Sequence, residues 1–433
     1  MSSIGTLETD LSEHRSRQFV TLWRTLLVTA ALITIWLSFV PFNGDQPVQS
    51  RGTLINQVGY TTIAALLLAT LMMFVSSAAV TRLLSASWLL LMGWILISGM
   101  VVSPLGDDGV RGAIFSLVVT VLAACIVAAA PDERSFVKAL TVAVALILGL
   151  CYAGLVLLPE AAIHTTNDIE PQHVGLWRGV YFHKNMAGPV MAMLLFASLY
   201  IARRGSTGVG LLLAFAALFF LYQTGSKTSF ALAPVVIAIV FIPASLGLRF
   251  LVPFLALVAI AGAHALTIGT VYFDQLDGIV KLLSPDTTFT GRTQIWTFAQ
   301  PYTMEHPLTG FGYGGFWRTE TATGAEQPFD TFWDPRGIIH GHNGYLDAIL
   351  NFGVPGFALM IWVTICAPAL HFWVAPRTHA NDAATEFFYM VIVFAALNAS
   401  LESFFFNRAD PVWITAVFAL FGLRLASRFP ITR

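Results

Sequence analysis

The sequence predicts an all-α polytopic membrane protein with about 12 transmembrane helices, and three observations carry that prediction. Of 433 residues, 56% are hydrophobic and only 11% charged, whereas soluble globular chains carry about 25% charged residues. Mean hydropathy is +0.74. Apolar stretches near span length, about 20 residues, recur along the chain with short polar turns between them. A chain with so few charges cannot give a soluble core of this length a charged surface. Its net charge of −1 offers no basic face to nucleic acid.

The elements follow in order. Met1 to Gln18 is polar and carries Arg15 and Arg17; the apolar run Leu26 to Val40 after it reads as a retained first helix, not a cleaved signal. Spans are expected near 25–42, 56–76, 85–104, 112–130, 136–158, 185–202, 208–223, 228–244, 249–271, 345–373, 386–406 and 411–427. The chain thus divides into nine helices over 1–271, a large loop over 272–341 between the ninth and tenth, and three helices over 342–433. No soluble domain, low-complexity segment or internal repeat stands out. Cys125, Cys151 and Cys366 all lie in apolar stretches, as small buried thiols do.

Lysine and arginine in short loops set orientation. With the N-terminus cytoplasmic, Arg15, Arg17, Arg24, Arg82, Arg134, Lys138, Arg203, Arg204, Arg249, Arg377, Arg424, Arg428 and Arg433 lie inside, thirteen of the 23 basic residues. Arg51, Arg111, Arg178, Lys184, Lys227, Lys281, Arg292, Arg318, Arg336 and Arg408 lie outside. The bias is weak, but several outer residues sit in motif-like settings. An anion at the outer face would account for cations kept against the rule; interfacial snorkelling is the plainer alternative.

Four segments carry chemistry. Arg178-Gly-Val-Tyr-Phe-His183-Lys184-Asn185 leads from a polar loop into a helix, whose free N–H groups and dipole attract anions. Thr224-Gly225-Ser226-Lys227-Thr228 resembles the tail of a P-loop but lacks the upstream glycine and strand, so it reads as a polar turn presenting Lys227. The loop 272–341 is long enough to imply function. In it, Arg292 and Trp296 are four apart and share a helix face, with Thr290 as a cap and Arg292 suited to bidentate phosphate contact. Gly310-Phe-Gly312-Tyr-Gly314-Gly315-Phe316-Trp317 reads either as a loop packed beside a sugar or lipid or as plain turns. His340-Gly341-His342-Asn343-Gly344-Tyr345-Leu346-Asp347 enters a helix with Asn343 at the cap; it lacks the His-x3-His spacing of a helical metal site. A base or phosphate donor at His342 is the better fit. Last, Glu402 within the span 386–406 is a functional candidate by its place, whereas His264, alone in its span, reads as a satisfied core residue.

Gly291-Arg292-Thr-x-x-Trp296, Gly310-x-Gly312-x-Gly314, His340-x-His342-Asn343-Gly-Tyr345-Leu and Gly353-x-Pro355-Gly356 together resemble the O-antigen ligase/polymerase superfamily, and within it the exopolysaccharide polymerase (ExoQ-like) branch. Phe182-His183-Lys184-Asn185 and Glu402-Ser403 fit the same pattern. The resemblance implies a bacterial inner-membrane protein with both termini cytoplasmic and a large periplasmic loop. It implies transfer of glycan from an undecaprenyl diphosphate carrier, without nucleotide sugar, metal or cofactor. The expected catalytic residues are Arg292, His342 and His340; Arg178, Lys184, Lys227 and Arg408, basic residues at outer helix ends, are expected on the diphosphate, with His183, Asn343, Tyr345, Trp296 and Glu402 in support. Besides that glycan and the bilayer, the resemblance implies other polysaccharide assembly and chain-length proteins as partners.

Elementary chemistry agrees. A diphosphate leaves well once its charge is met, an attacking hydroxyl needs one placed base, and no carboxylate pair at glycosidase spacing is apparent. A ligase that attaches glycan to lipid A–core shares the Arg and His pattern. A transporter or flippase is the rival from another class, but its repeated halves and midplane polar sites are not evident. The loop 272–341 is therefore expected to be periplasmic: single cysteines placed in it will react with an impermeant thiol reagent in spheroplasts. Labelling of 131–137 instead would invert the topology.

Overall fold

The computed structural model describes residues 2–42, 52–83, 85–168, 171–283, 289, 291–326 and 334–431. Arg51, Thr290 and Arg433 lie outside them. The helices are α1 (Ser2–Trp36), α2 (Gly52–Phe74), α3 (Ser77–Leu83), α4 (Ala86–Ile97), α5 (Asp107–Ala129), α6 (Glu133–Leu157), α7 (Pro159–Ala162), α8 (Lys184–Arg204), α9 (Thr207–Gln223) and α10 (Lys227–Ser245). They continue as α11 (Leu251–Leu266), α12 (Gly269–Tyr272), α13 (Asp274–Leu283), α14 (Arg292–Ala299), α15 (Glu320–Thr323), α16 (Gly344–Ile361), α17 (Ala367–Val374), α18 (His379–Asn398) and α19 (Pro411–Ala426). The protein is an all-α polytopic membrane protein.

Among the described residues, eight helical stretches are long and apolar enough to cross a membrane, and they coincide with eight of the twelve expected spans. The other four expected spans are helical but shorter, at Ala86–Val102, Thr207–Gln223, Leu251–Leu266 and Pro411–Ala426. One boundary is corrected. The span expected over 386–406 is α18, which starts earlier because Thr378 caps it through Asn381 N–H. It ends at Asn398, so Glu402 stands in the linker to α19 and not inside a helix. His264 packs its ring edge-on against Tyr345 of α16, with ring centres 4.0 Å apart.

The bundle has two chemically distinct ends. At one, Arg204 forks onto Glu133 at 2.5 and 2.6 Å and reaches His379 at 2.7 Å. Arg203 pairs with Glu386, and Arg249 pairs with Asp382. Arg24 donates to Ala129 O and Ala130 O, and Asn381 to Ala426 O and Phe429 O. These bonds bring together the early part of α1, the turns α5–α6, α8–α9 and α10–α11, the start of α18 and the end of α19. The opposite end holds the described residues of the loop 272–341, the α7–α8 connection and the α18–α19 linker, tied by Asn343 to Ser400 O and by Tyr313 to Phe406 O.

The described residues of the large loop form a folded cap with its own apolar core. Ile295, Trp296, Phe316, Trp317 and Ala322 pack there against Leu346 and Leu350 of α16. Under it α16 breaks at Gly353, whose φ of 64° is outside the helical region. A side chain there would collide with the backbone of Pro307 to Thr309. Polar backbone groups freed inside an apolar bundle need new partners, and they find them. Val354 N–H donates to Pro307 O, while Leu350 O accepts from Phe311 N–H, and Phe352 O accepts from Trp94 Nε1. Gly310 lies against this same stretch of α16, so the glycine-rich segment serves protein packing.

The Glu133–Arg204 pair is almost fully shielded, with side-chain exposures of 5% and 3%. Breaking such a pair strands a charge and costs about 3–5 kcal/mol, whereas removing both partners costs less. Glu133→Ala and Arg204→Ala are each expected to lower the unfolding midpoint in detergent more than the double variant does.

Candidate functional site

Three segments distant in sequence meet at the loop end of the bundle. The first is α14, with Gly291 in the cap position and Arg292 as its first residue. The second is the entry to α16, where Asn343 caps the helix by accepting from Tyr345 N–H and Leu346 N–H at 3.1 and 3.0 Å. The third is the α18–α19 linker with Glu402.

Glu402 joins them. Its Oε1 accepts from Arg292 Nη2 at 2.7 Å, and its Oε2 lies 3.5 Å from His342 Nδ1, long for a hydrogen bond. Burial alone would push this carboxyl up. The His342 imidazole and the Arg292 charge outweigh burial and hold it down at about 2. His340 sits with its ring centre 4.2 Å from that of His342. Burial, and then the neighbouring His342, push its imidazole down to about 4, so it is neutral at pH 7.

His342 has a φ of 48°, a conformation uncommon for a side chain this large. The neighbours hold it there: Asn343 Nδ2 also donates to Ser400 O, and Trp296, fully buried, donates Nε1–H to Gly341 O at 2.9 Å. Tyr345 is buried with its hydroxyl on Ala396 O. Arg292, Trp296, His340, His342, Asn343, Tyr345 and Glu402 are thus brought together as one site. Thr290, expected as the α14 cap, is outside the described residues.

The four cations expected on a diphosphate are placed differently from one another. Arg178 is buried and its guanidinium is used within the protein, on Glu160 O, Ala161 O and Asp168 at 2.9–3.1 Å. An anion at Arg178 would have to displace this buried ion pair. Lys184, also buried, opens α8, with His183 as its cap accepting from Asn185 N–H. Lys227 opens α10 and is exposed. Arg408 lies against the start of α5, donating to Asp108 O at 3.3 Å.

Two features escaped the sequence reading. His164, His173 and His183 cluster with ring centres 4.9–5.7 Å apart, and His164 bonds Asp168 at 2.6 Å. The His164-x3-Asp168 spacing was the available signal. Burial lowers the His164 imidazole, and its hydrogen bond to Asp168 does not reverse that. The second feature is a cavity of about 240 Å³ lined by Thr228, Leu232, Thr267, Phe289, Ser400 and Leu401 among others. It lies between the turn that carries Lys227 and the linker that carries Glu402, and its wall is apolar.

Comparison with known proteins adds to the geometry. Residues 209–361 match the family model described as O-antigen ligase. That stretch runs from α9 to the end of α16 and contains Lys227, Arg292, Trp296, His340, His342, Asn343 and Tyr345. Over 101 residues the chain is 29% identical to the exopolysaccharide production protein ExoQ of Rhizobium meliloti (strain 1021). The aligned part spans 23% of this chain and 23% of that relative's length.

The lowered imidazole of His340 has a consequence for stability. Its folded value, about 4, lies below the unfolded one, about 6.5. The unfolded chain therefore binds the proton first, and stability falls as pH drops from about 6.5 towards 4. The unfolding midpoint in detergent is expected to fall over that window. His340→Gln will flatten the decline; an unchanged profile would remove His340 as its source.

Proposed function

We propose, from the match of residues 209–361 to the O-antigen ligase family model, that this protein is a membrane glycosyltransferase of exopolysaccharide biosynthesis. It polymerises undecaprenyl-diphosphate-linked oligosaccharide repeat units at the periplasmic face of the bacterial inner membrane. The site end of the bundle is periplasmic, and the end that carries Arg24, Arg204 and Arg424 is cytoplasmic. The observation that carries this reading is the meeting of Arg292, Glu402 and His342 beside an apolar cavity.

The chemistry follows from the residues. The acceptor hydroxyl attacks the anomeric carbon of the donor, and the bond from that carbon to the diphosphate oxygen breaks. The hydroxyl proton passes to Nε2 of His342, whose Nδ1–H is directed at Glu402; a carboxylate in that position orients the ring and favours the imidazolium that forms. The diphosphate leaves with the negative charge. Arg292, braced on Glu402 and still partly exposed, meets it with its remaining N–H groups. Lys227 at the other side of the cavity adds charge near the same group, and the apolar wall takes the first part of the isoprenoid chain. His340, neutral and packed on His342, supports the ring.

Ligation to lipid A–core is the alternative that the family's description favours. Deleting the gene separates the two: lost polymer with single units retained means polymerase, and retained polymer left unattached means ligase.

Two substitutions test the site in proteoliposomes with lipid-linked repeat units. Arg292→Ala will abolish transfer at near-normal protein level, and Arg292→Lys will restore little, because a point charge does not copy a planar fork. His342→Ala will lose about 10²–10⁴-fold in turnover while still binding donor. Donor binding lost in proportion to turnover would make His342 a donor ligand, not a base.

A further inference from the structure

The peptide groups on both sides of Gly341 are gripped, and the grip involves a residue that the transfer chemistry does not use. Gly341 N–H, in the bond from His340, donates to both carboxylate oxygens of Asp347 at 3.0 Å. Gly341 O, in the bond to His342, accepts from Trp296 Nε1. The Asp347 carboxylate is itself fixed, because Oδ1 accepts from Trp317 Nε1 at 2.7 Å. Asp347 lies one turn into α16, and Trp317 is buried in the core of the cap. Gly341 has no room for a side chain: a Cβ there would sit 2.8 Å from Asp347 Oδ1 and 3.2 Å from the Trp317 ring.

We propose that Asp347 is a positioning residue that clamps the Gly341 peptide between the two histidines and so sets where the His342 imidazole points. The proposal deepens the transfer reading and rests on it for its kinetic consequence. The physical need is clear from His342 itself. Its left-handed backbone conformation is unfavourable by itself and persists only where surroundings over-determine it. Asn343 holds the C-terminal side of His342 through the helix cap. Asp347 and Trp296 hold the N-terminal side. A carboxylate suits the task because one oxygen can accept from both Trp317 and Gly341 while the second reinforces the bond to Gly341. Loss of the clamp leaves Arg292 and Glu402 in place, so the donor site survives while the base loses its aim.

The test compares wild type, Asp347→Ala, Asp347→Asn and Trp317→Phe as full-length purified protein. Three readouts are taken: transfer, donor binding, and the rate at which diethyl pyrocarbonate acylates the peptide carrying His340 and His342. Asp347→Ala is expected to lower turnover about 10²-fold, the scale of a small misplacement of a catalytic group. Donor affinity will stay near wild type and acylation will speed up. Asp347→Asn, whose amide oxygen still accepts from Gly341 and Trp317, will keep most turnover. Wild-type turnover in Asp347→Ala, an asparagine variant as impaired as alanine, or donor binding lost in step with turnover would each overturn the clamp. If the alanine variant does not fold, Trp317→Phe decides: faster acylation with donor binding kept supports the clamp, and an unchanged rate refutes it. Absence of transfer in wild type would sink the transfer reading alone, because the acylation rates still test the clamp by themselves.

Discussion

Glu402 accepts from Arg292 and faces His342, and through it three pieces of chain become one site. The cap supplies the arginine, the start of α16 the histidine and the α18–α19 linker the carboxylate. None of these segments has a reason of its own to approach the others with charged groups at the edge of an apolar bundle. A partly shielded carboxylate is costly unless cations neutralise it, and a guanidinium in the same place is costly without an anion. Their pairing offsets both costs. The arrangement is therefore coupled: the same contact that steadies the fold leaves Arg292 charged, braced and still open to an anion.

The second constraint is the backbone accounting at the break in α16. A helix interrupted inside a membrane protein frees carbonyl and amide groups that lipid cannot satisfy. Here the cap satisfies them through Pro307 and Phe311, and α4 through Trp94. The cap is thereby bolted to the bundle at the level of the break, six residues past Asp347 along α16. It carries its own small core of aromatic residues. That combination explains how a loop of such length presents Arg292 and Trp296 in fixed positions.

The two ends of the bundle use charge differently. At the end opposite the site, acidic partners absorb the arginines: Glu133, Asp382 and Glu386 pair with Arg204, Arg249 and Arg203. At the site end Arg178 is likewise consumed, by Asp168 and two carbonyls. Lys227 is exposed, and Arg292 shares a single carboxylate with a histidine. Cations held on full partners build the scaffold, and those held on less are the ones with capacity left for an anion.

Much of this protein was legible in its sequence. Composition and the recurrence of apolar runs determined the all-α polytopic class and the positions of the long apolar helices, because a segment that must satisfy its backbone in lipid has few choices. Local spacing also identified Asn343 as a helix cap and put Arg292 and Trp296 on one short helix, since capping and helical faces are decided within four residues. Pairing was not legible. Glu402 looked like a charge buried in a span, because nothing nearby in sequence shows that α18 ends four residues before it. Arg178 gave no sign of its pairing, because its partner Asp168 lies in a separate turn. The role of Asp347 towards Gly341, the histidine cluster around His164 and the apolar cavity depend on contacts between elements brought together only by packing. Sequence determines what each segment can do alone; the tertiary structure decided which charges are already spent, because only there do groups far apart in the chain compete for the same partners.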